Sequence, residues 1–302
     1  MSQDVVEKIL RLKAQHNAVI LAHNYQIPEV QDIADFVGDS LGLSQTAAET
    51  DADVIIFCGV HFMAETAKIL SPNKRVIIPD KNAGCPMANM IMARQLVNLK
   101  SKHPDAVVVC YVNSTAEVKA LSDYCCTSAN GPQVVQAVPE EKEIIFIPDQ
   151  YLGSWVMKQT GREMILWDGY CPTHHRILPE HIMQQKQKHP NAAVIAHPEC
   201  IPAVTDIADF VMSTSGMIKA AEEADTDEFI IATEIGMLNP LKKAHPDKSF
   251  YPATELADCP NMKLNSLEKL LWSMEDLQPE ISVPEDIRQK AQTAIDRMIS
   301  IT

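Results

Sequence analysis

Three Cys-Pro dipeptides hold the chemistry most easily read from this sequence: Cys85-Pro86 in NAGCPM, Cys171-Pro172 in GYCPTHH and Cys259-Pro260 in ADCPNMK. They stand 86 and 88 residues apart, each a short connection after an apolar run. Thiolates are metal ligands, and three delivered from equivalent places in three similar units can meet at one centre. Three thiolates are one short of the set that saturates a structural zinc or a cubane iron–sulfur cluster, and incomplete protein ligation marks a catalytic centre. Cys-Pro also ends cluster-binding runs in ferredoxins, which points toward iron and sulfide. The other thiols are less informative. Cys58 and Cys110 lie within apolar strands, Cys125 aligns with Val37 and Val211, and Cys126 and Cys200 have no parallel and no assigned role.

The elements that position these cysteines recur with them. Residues 3–16 carry Val5, Val6, Ile9, Leu10 and Leu12 at helical spacing. The run AVILAHNYQ then reads as a strand over 18–22 that stops at His23, Asn24 and Tyr25. Before Cys85 come a short strand at Phe36 and Val37, a helix opening at Ser40 or Ser44, a strand in DVIIFCG, a helix in METAKIL and a strand in RVIIPD. Strands alternating with helices imply right-handed crossovers and a parallel sheet.

The same order restarts twice. AVVVCYVN places Tyr111, and AAVIAHPE places His197, where the first run places His23. From that position the terminal cysteine lies 62, 60 and 62 residues on. An aspartate recurs 12 residues on (Asp35, Asp123, Asp209) and a hydroxyl 17 residues on (Ser40, Ser128, Thr214). Agreement at several offsets is the signature of triplication. The expected fold is therefore α/β, with three pseudo-threefold-related αβα units, each holding a small parallel sheet, around a shared metal centre. The expected division is an N-terminal helix plus first unit over 1–86, a second unit over 87–172, a third over 173–260, and C-terminal helices over 261–302 that pack back on the body.

In an open parallel sheet the ligand lies beyond the carboxyl ends of the strands. The polar residues there are His23 and Tyr25, Tyr111 and Asn113, and His197 and Glu199, and three units facing one axis bring all six together. A single strand-end His or Tyr is more often a satisfied structural group; recurrence in all three units reverses that weighing. Ser40, Ser128 and the pair Ser213-Thr214 each precede a helix, with Gly42, Gly131 and Gly216 just behind. Helix capping, worth about 1 kcal/mol, accounts for such hydroxyls. The same free N–H groups also bind phosphate or carboxylate.

Composition narrows the function classes. The 302 residues are 46% hydrophobic and 22% charged, enough to bury a sizeable core with no sign of disorder. The formal charge of −14 argues against nucleic acid or an anionic membrane as partner. No apolar stretch reaches the roughly 20 residues that span a bilayer, and MSQDVVEKIL lacks the basic start and apolar core of an export signal. A cytoplasmic location is expected, where eight cysteines are more readily ligands, catalytic groups or buried side chains than disulfides.

The stretches HNYQ, DSLGLS, NAGCPMA, YVNSTAEVKA, GYCPTH, HPEC, STSGM, ATEIGM and CPNMKLN together resemble the quinolinate synthase family over nearly the whole chain. The resemblance implies three αβα domains with a 4Fe-4S cluster at their centre and a step of NAD biosynthesis. In that step iminoaspartate and dihydroxyacetone phosphate condense to quinolinate, with loss of phosphate and two waters. Cys85, Cys171 and Cys259 match the family's cluster ligands. His23, Tyr25, Ser40, Tyr111, Asn113, Ser128, His174, His197, Glu199, Ser213 and Thr214 match its substrate-site positions.

Within that frame Glu199 with His197 is expected to shuttle protons, Tyr25 to act in a late dehydration, and His23 to orient the acid substrate. A functional link to an aspartate-oxidising enzyme or aspartate dehydrogenase follows from the first substrate. Some members carry extra cysteines three and six residues before the third ligand; here Leu256 and Ala253 stand there, so no thiol–disulfide switch is expected at that place. His175 has only its adjacency to His174 and is expected at the surface. Two other readings stay open: another 4Fe-4S hydro-lyase acting on a small hydroxy acid, and a three-domain binding protein with a structural zinc.

Overall fold

The computed structural model describes residues 2–301. Apolar β-branched runs make the strands, and the polar, Gly or Pro residues after them stop each one. The first run of elements is α1 (Ser2–Gln15), β1 (Ala18–His23), α2 (Pro28–Ile33), β2 (Phe36–Gly38), α3 (Ser40–Glu49), β3 (Val54–Cys58), α4 (His61–Leu70) and β4 (Arg75–Ile77). The second is α5 (Ala93–Lys102), β5 (Val107–Tyr111), α6 (Ala116–Lys119), β6 (Tyr124–Cys126), α7 (Gly131–Ala137), β7 (Ile144–Ile147), α8 (Gln150–Thr160) and β8 (Ile165–Leu166). The third is α9 (Pro172–His175), α10 (Pro179–Lys188), β9 (Ala193–Ala196), α11 (Pro202–Thr205), β10 (Phe210–Val211), α12 (Thr214–Glu223), β11 (Glu228–Ala232), α13 (Leu238–Ala244) and β12 (Ser249–Pro252). Helices α14 (Leu267–Asp276) and α15 (Glu285–Ser300) follow.

The strands form three parallel sheets with one strand order repeated: β2-β1-β3-β4, β6-β5-β7-β8 and β10-β9-β11-β12. The fold is thus α/β with three small four-stranded sheets, as the triplicated sequence leads one to expect. Pairing also follows the alignment residue by residue. Ala22 lies opposite Val37, Cys110 opposite Cys125, and Ala196 opposite Val211. The central strands are buried on both faces, which is why they read as unbroken apolar runs; Ile20, Ile55, Val108, Ile145, Val194 and Ile230 are fully buried.

The recurrent aspartates are explained by this topology. Asp35, Asp123 and Asp209 each accept from a backbone N–H of the neighbouring central strand, at Ile20 (2.9 Å), Val108 (2.8 Å) and Val194 (2.7 Å). Each returns its own N–H to the carbonyl of the same residue. They pin the entry to the edge strand onto the sheet and are structural.

Hydrogen bonds also join the runs. Between first and second, fully buried Lys119 donates to Thr66 Oγ1 (2.8 Å) and the Phe62 carbonyl (3.3 Å), and Glu65 accepts from the Ala116 N–H (3.1 Å). Between first and third, Asn24 donates to Thr214 Oγ1 (2.8 Å) and Asn239 to Gln31 (2.8 Å). Helix α14 packs on α1 and β3, and α15 lies across β6, α6, α3 and α4. Buried Asn130 fastens the end of α15, donating to the carbonyls of Met298 (2.9 Å) and Ile301 (2.7 Å) while accepting from the Thr127 N–H (2.9 Å). Among the described residues no helix is long and apolar enough to cross a membrane.

Candidate active site

The carboxyl ends of β1, β5 and β9 meet at one cavity of about 180 Å³, somewhat more than an apolar cavity of about 150 Å³ that admits benzene. His23, Tyr25, Tyr111, Asn113, His197 and Glu199 all line it, as do Ser40, Ser128, Thr214, His174 and the three Cys-Pro cysteines. Of the residues singled out from sequence, only Ser213 is not part of the lining; its hydroxyl caps α12, accepting from the Gly216 N–H (3.2 Å). The capping expectation holds less well elsewhere. Asp39, not Ser40, caps α3 through the Gly42 N–H (2.9 Å), and Ser128 stands ahead of Asn130, the residue preceding α7. That leaves the hydroxyls of Ser40 and Ser128 uncommitted to a helix end. Ser128 instead meets His197 Nε2 at 3.2 Å.

Glu199 is the hub of the polar network. It is 3% exposed, and its carboxylate accepts from Tyr111 Oη (2.6 Å) and Asn113 Nδ2 (3.3 Å) on one oxygen and contacts His174 Nδ1 (2.7 Å) on the other. On the far side of the imidazole, His174 Nε2 meets Thr233 Oγ1 (2.8 Å) and Tyr25 Oη (3.5 Å), while Tyr25 Oη and Thr233 Oγ1 are 2.6 Å apart. His174 therefore bridges Tyr25 of the first run to Glu199 of the third. Asn113 Oδ1 is buried without a partner, an acceptor that a ligand N–H or O–H can satisfy.

Electrostatics assigns protonation states to the group. Burial raises the Glu199 carboxyl, but His174, then His197 and the Tyr111 hydrogen bond outweigh it, so the group is held below the ordinary carboxylate range and is ionised. Burial lowers His23 and His197 to about 3 against the opposing pull of Glu199. Both are neutral. In each, Nδ1 accepts the backbone N–H two residues on, from Tyr25 (3.2 Å) and Glu199 (3.3 Å), which puts the ring proton on Nε2. Burial, then the Glu199 charge, pushes the phenols of Tyr25 and Tyr111 well up, so both are protonated.

Cys85, Cys171 and Cys259 differ from the other cysteines in being partly open to the cavity; the remaining five are buried, and all eight are free. Burial pushes Cys85 up to about 12 and raises Cys171 and Cys259 as well, so a metal must replace their protons when it binds. The donor set, three soft sulfurs facing one cavity, suits an iron–sulfur centre or zinc. Ligand atoms of Cys171, His174 and Glu199 also lie within 4.8 Å of one another. The site is thus chemically fit to bind metal. His175 is exposed beside His174, stacked on Tyr151 with ring centroids 5.8 Å apart.

Several residues of the site were not picked out from sequence. Thr233 and Glu234 follow β11 as Pro148 and Asp149 follow β7 and as Gly59 and Val60 follow β3. Following the repeat past the third strand would have exposed the buried carboxylates Asp149 and Glu234. Glu234 accepts from the Cys259 N–H (3.0 Å) and pairs with Lys263 (2.9 Å), whose ammonium also donates to the Tyr25 carbonyl (2.6 Å). Gly236 allows this packing: a Cβ there would stand 2.8 Å from Glu234 Oε2, Lys263 Nζ and the Tyr25 carbonyl carbon. Arg176 joins the cavity lining and had no counterpart in the repeat.

The family model described as quinolinate synthetase A protein matches residues 7–300. A quinolinate synthase of Dehalococcoides mccartyi strain CBDB1 is 55% identical over 297 residues, covering 98% of this chain and 98% of that protein. One from Thermodesulfovibrio yellowstonii is 55% identical over 302 residues, covering 100% and 99% respectively. One from Methanosarcina barkeri is 53% identical over 298 residues, covering 99% and 98%. The matches run through all three sheets and both C-terminal helices, and the chain belongs to the quinolinate synthetase A protein family.

Proposed function

We propose that the chain condenses iminoaspartate with dihydroxyacetone phosphate to quinolinate, releasing phosphate and two waters, with a 4Fe-4S cluster held by Cys85, Cys171 and Cys259. The observation that carries this reading is the convergence of three cysteine loops and three strand ends on one cavity, together with family membership. When bound by only three thiolates, such a cluster supplies a Lewis-acidic iron for the loss of hydroxide.

The chain's own residues do the rest. Glu199, ionised and held by Tyr111, Asn113 and His174, takes and returns protons at substrate carbon and nitrogen. Tyr25, a protonated phenol, delivers a proton in the late dehydration, with Thr233 and His174 beside it to restore that proton from the Glu199 side. His23 and His197, both neutral, orient carboxylates, His197 together with the Ser128 hydroxyl that its Nε2 meets, and Ser40, Ser128 and Thr214 complete the anion contacts. Asn113, through its unpartnered Oδ1, takes a substrate N–H or O–H. Closure by buried apolar residues such as Phe62 and Met63 excludes water from the intermediates.

The same reading divides the chain at 86, 172 and 260, each boundary at the Cys-Pro pair that completes a unit. It places the protein in the cytoplasm, where its thiols stay reduced, and next to an enzyme that oxidises aspartate to supply the imino acid. The test is an anaerobic assay with the imino acid generated in place and dihydroxyacetone phosphate added. Quinolinate and phosphate are expected in equal amounts; a cluster-loaded chain that forms neither overturns the proposal.

A further inference from the structure

Both proposed substrates are small, multiply charged anions, and the chain has a formal charge of −14, so its surface field opposes their approach. Lys263, next to the lining residue Glu234, is committed to that carboxylate and to the Tyr25 carbonyl. Among the described residues that line the cavity, Arg176 is the single lysine or arginine. The lining residues exposed to solvent are Pro86, Arg176 and Pro260, so these frame its mouth.

Arg176 caps the C-terminal end of α9, the short helix that also holds His174 and directly follows Cys171. Its guanidinium makes no hydrogen bond or ion pair among the described residues. Arg75, Arg162, Arg288 and Arg297 are each tied to a carboxylate or carbonyl, while Arg11 and Arg94, without such partners among the described residues, do not line the cavity. A free guanidinium presents N–H donors in a fork that matches carboxylate and phosphate.

We propose that Arg176 captures small dianions at the mouth of the cavity and so sets the preference of the site for doubly charged substrates. The identity of those substrates rests on the reaction proposed above; the capture itself does not. A positive charge at a rim acts chiefly on association and on salt dependence, and that signature separates it from a residue with a merely structural part.

The test titrates the full chain, metal centre loaded, with malonate and with the neutral malonamide, at about 10 mM and about 300 mM salt, which moves the screening length from near 30 Å to below 10 Å. Arg176→Gln is expected to weaken malonate binding about tenfold at low salt and only about twofold at high salt, with malonamide unaffected. Arg176→Lys keeps most of the wild-type affinity and salt dependence. In turnover, Arg176→Gln loses kcat/KM by a similar factor, carried by KM, with a flatter salt dependence. Equal malonate affinity in wild type and Arg176→Gln, a difference that salt does not shrink, or a fall in kcat at unchanged KM each overturns the proposal. If wild type makes no quinolinate while the malonate difference holds, the reaction is wrong and the capture stands. If quinolinate forms and the malonate difference is missing, the capture is wrong and the reaction stands.

Discussion

Glu199→Gln is the substitution whose consequences the geometry fixes most closely. The amide keeps the shape and retains one oxygen for Tyr111 Oη and Asn113 Nδ2, now 2.6 and 3.3 Å from the carboxylate. Its NH2 then faces His174 Nδ1, which stands 2.7 Å from the second oxygen. His174 can answer by moving its proton to Nε2, from which it donates to Thr233 Oγ1 at 2.8 Å. Every hydrogen bond survives, but the two strongest change from charge-assisted to neutral. Such a change is worth about 1 kcal/mol each, so stability falls by about 2 kcal/mol and Tm by about 3 °C. Activity falls much further, because the amide neither accepts nor returns a proton. A loss in kcat of about 10²–10⁴ is expected, with iron and sulfide content unchanged because no cysteine is touched. Anaerobic turnover, metal analysis and thermal denaturation on one preparation decide the matter. A variant retaining kcat within about fivefold of wild type refutes the role given to Glu199.

Three further outcomes are expected. In the metal-free chain, His23 and His197 are lowered from 6.5 to about 3, so below pH 6.5 the unfolded chain binds protons that the folded chain refuses. Stability is complete above that pH and drains as pH falls toward 3, at about 1.4 kcal/mol per pH unit for each imidazole. Urea midpoints measured between pH 6 and pH 5 should therefore drop steeply, and His197→Gln should roughly halve the slope; an unchanged slope contradicts the assignment. Asn130→Ala removes two bonds to the end of α15 and is expected to cost about 2–4 kcal/mol, with exchange protection lost first in α15. Protection lost uniformly instead would mean that Asn130 does not anchor that helix. Lys263→Met leaves buried Glu234 without its cation and the Tyr25 carbonyl without its donor, so a loss of about 3–5 kcal/mol is expected by denaturant titration. Full stability in that variant rules out the clasp.

Much of the fold was legible because the repeat writes the same physical constraints three times. Asp35, Asp123 and Asp209 recur since each must satisfy the same strand N–H, and His23, Tyr111 and His197 recur since each stands at the end of, or directly after, the first strand of a sheet. The cysteines were visible for the same reason. What escaped is what breaks the repeat or acts across it. Thr233 draws its meaning from touching both Tyr25 and His174, residues 208 and 59 positions away, and spacing within one unit holds no trace of such contacts. Lys119 reads in sequence as an ordinary surface lysine of a short helix, yet it is fully buried against Phe62 and Thr66 of another unit. Ser213 shows the opposite failing: its match to a motif suggested ligand contact, while its hydroxyl is spent on the α12 cap.

The proposed role of Cys85, Cys171 and Cys259 is to hold one iron–sulfur cluster jointly where the three sheets meet. The most direct measurement is iron, sulfide and zinc per chain in anaerobically purified wild type and in the three single Cys→Ala variants. About four iron and four sulfide in wild type, lost in every variant, is the predicted result. About one zinc in wild type, lost in Cys171→Ala but kept in Cys85→Ala and Cys259→Ala, would contradict it and locate the metal on Cys171, His174 and Glu199 instead.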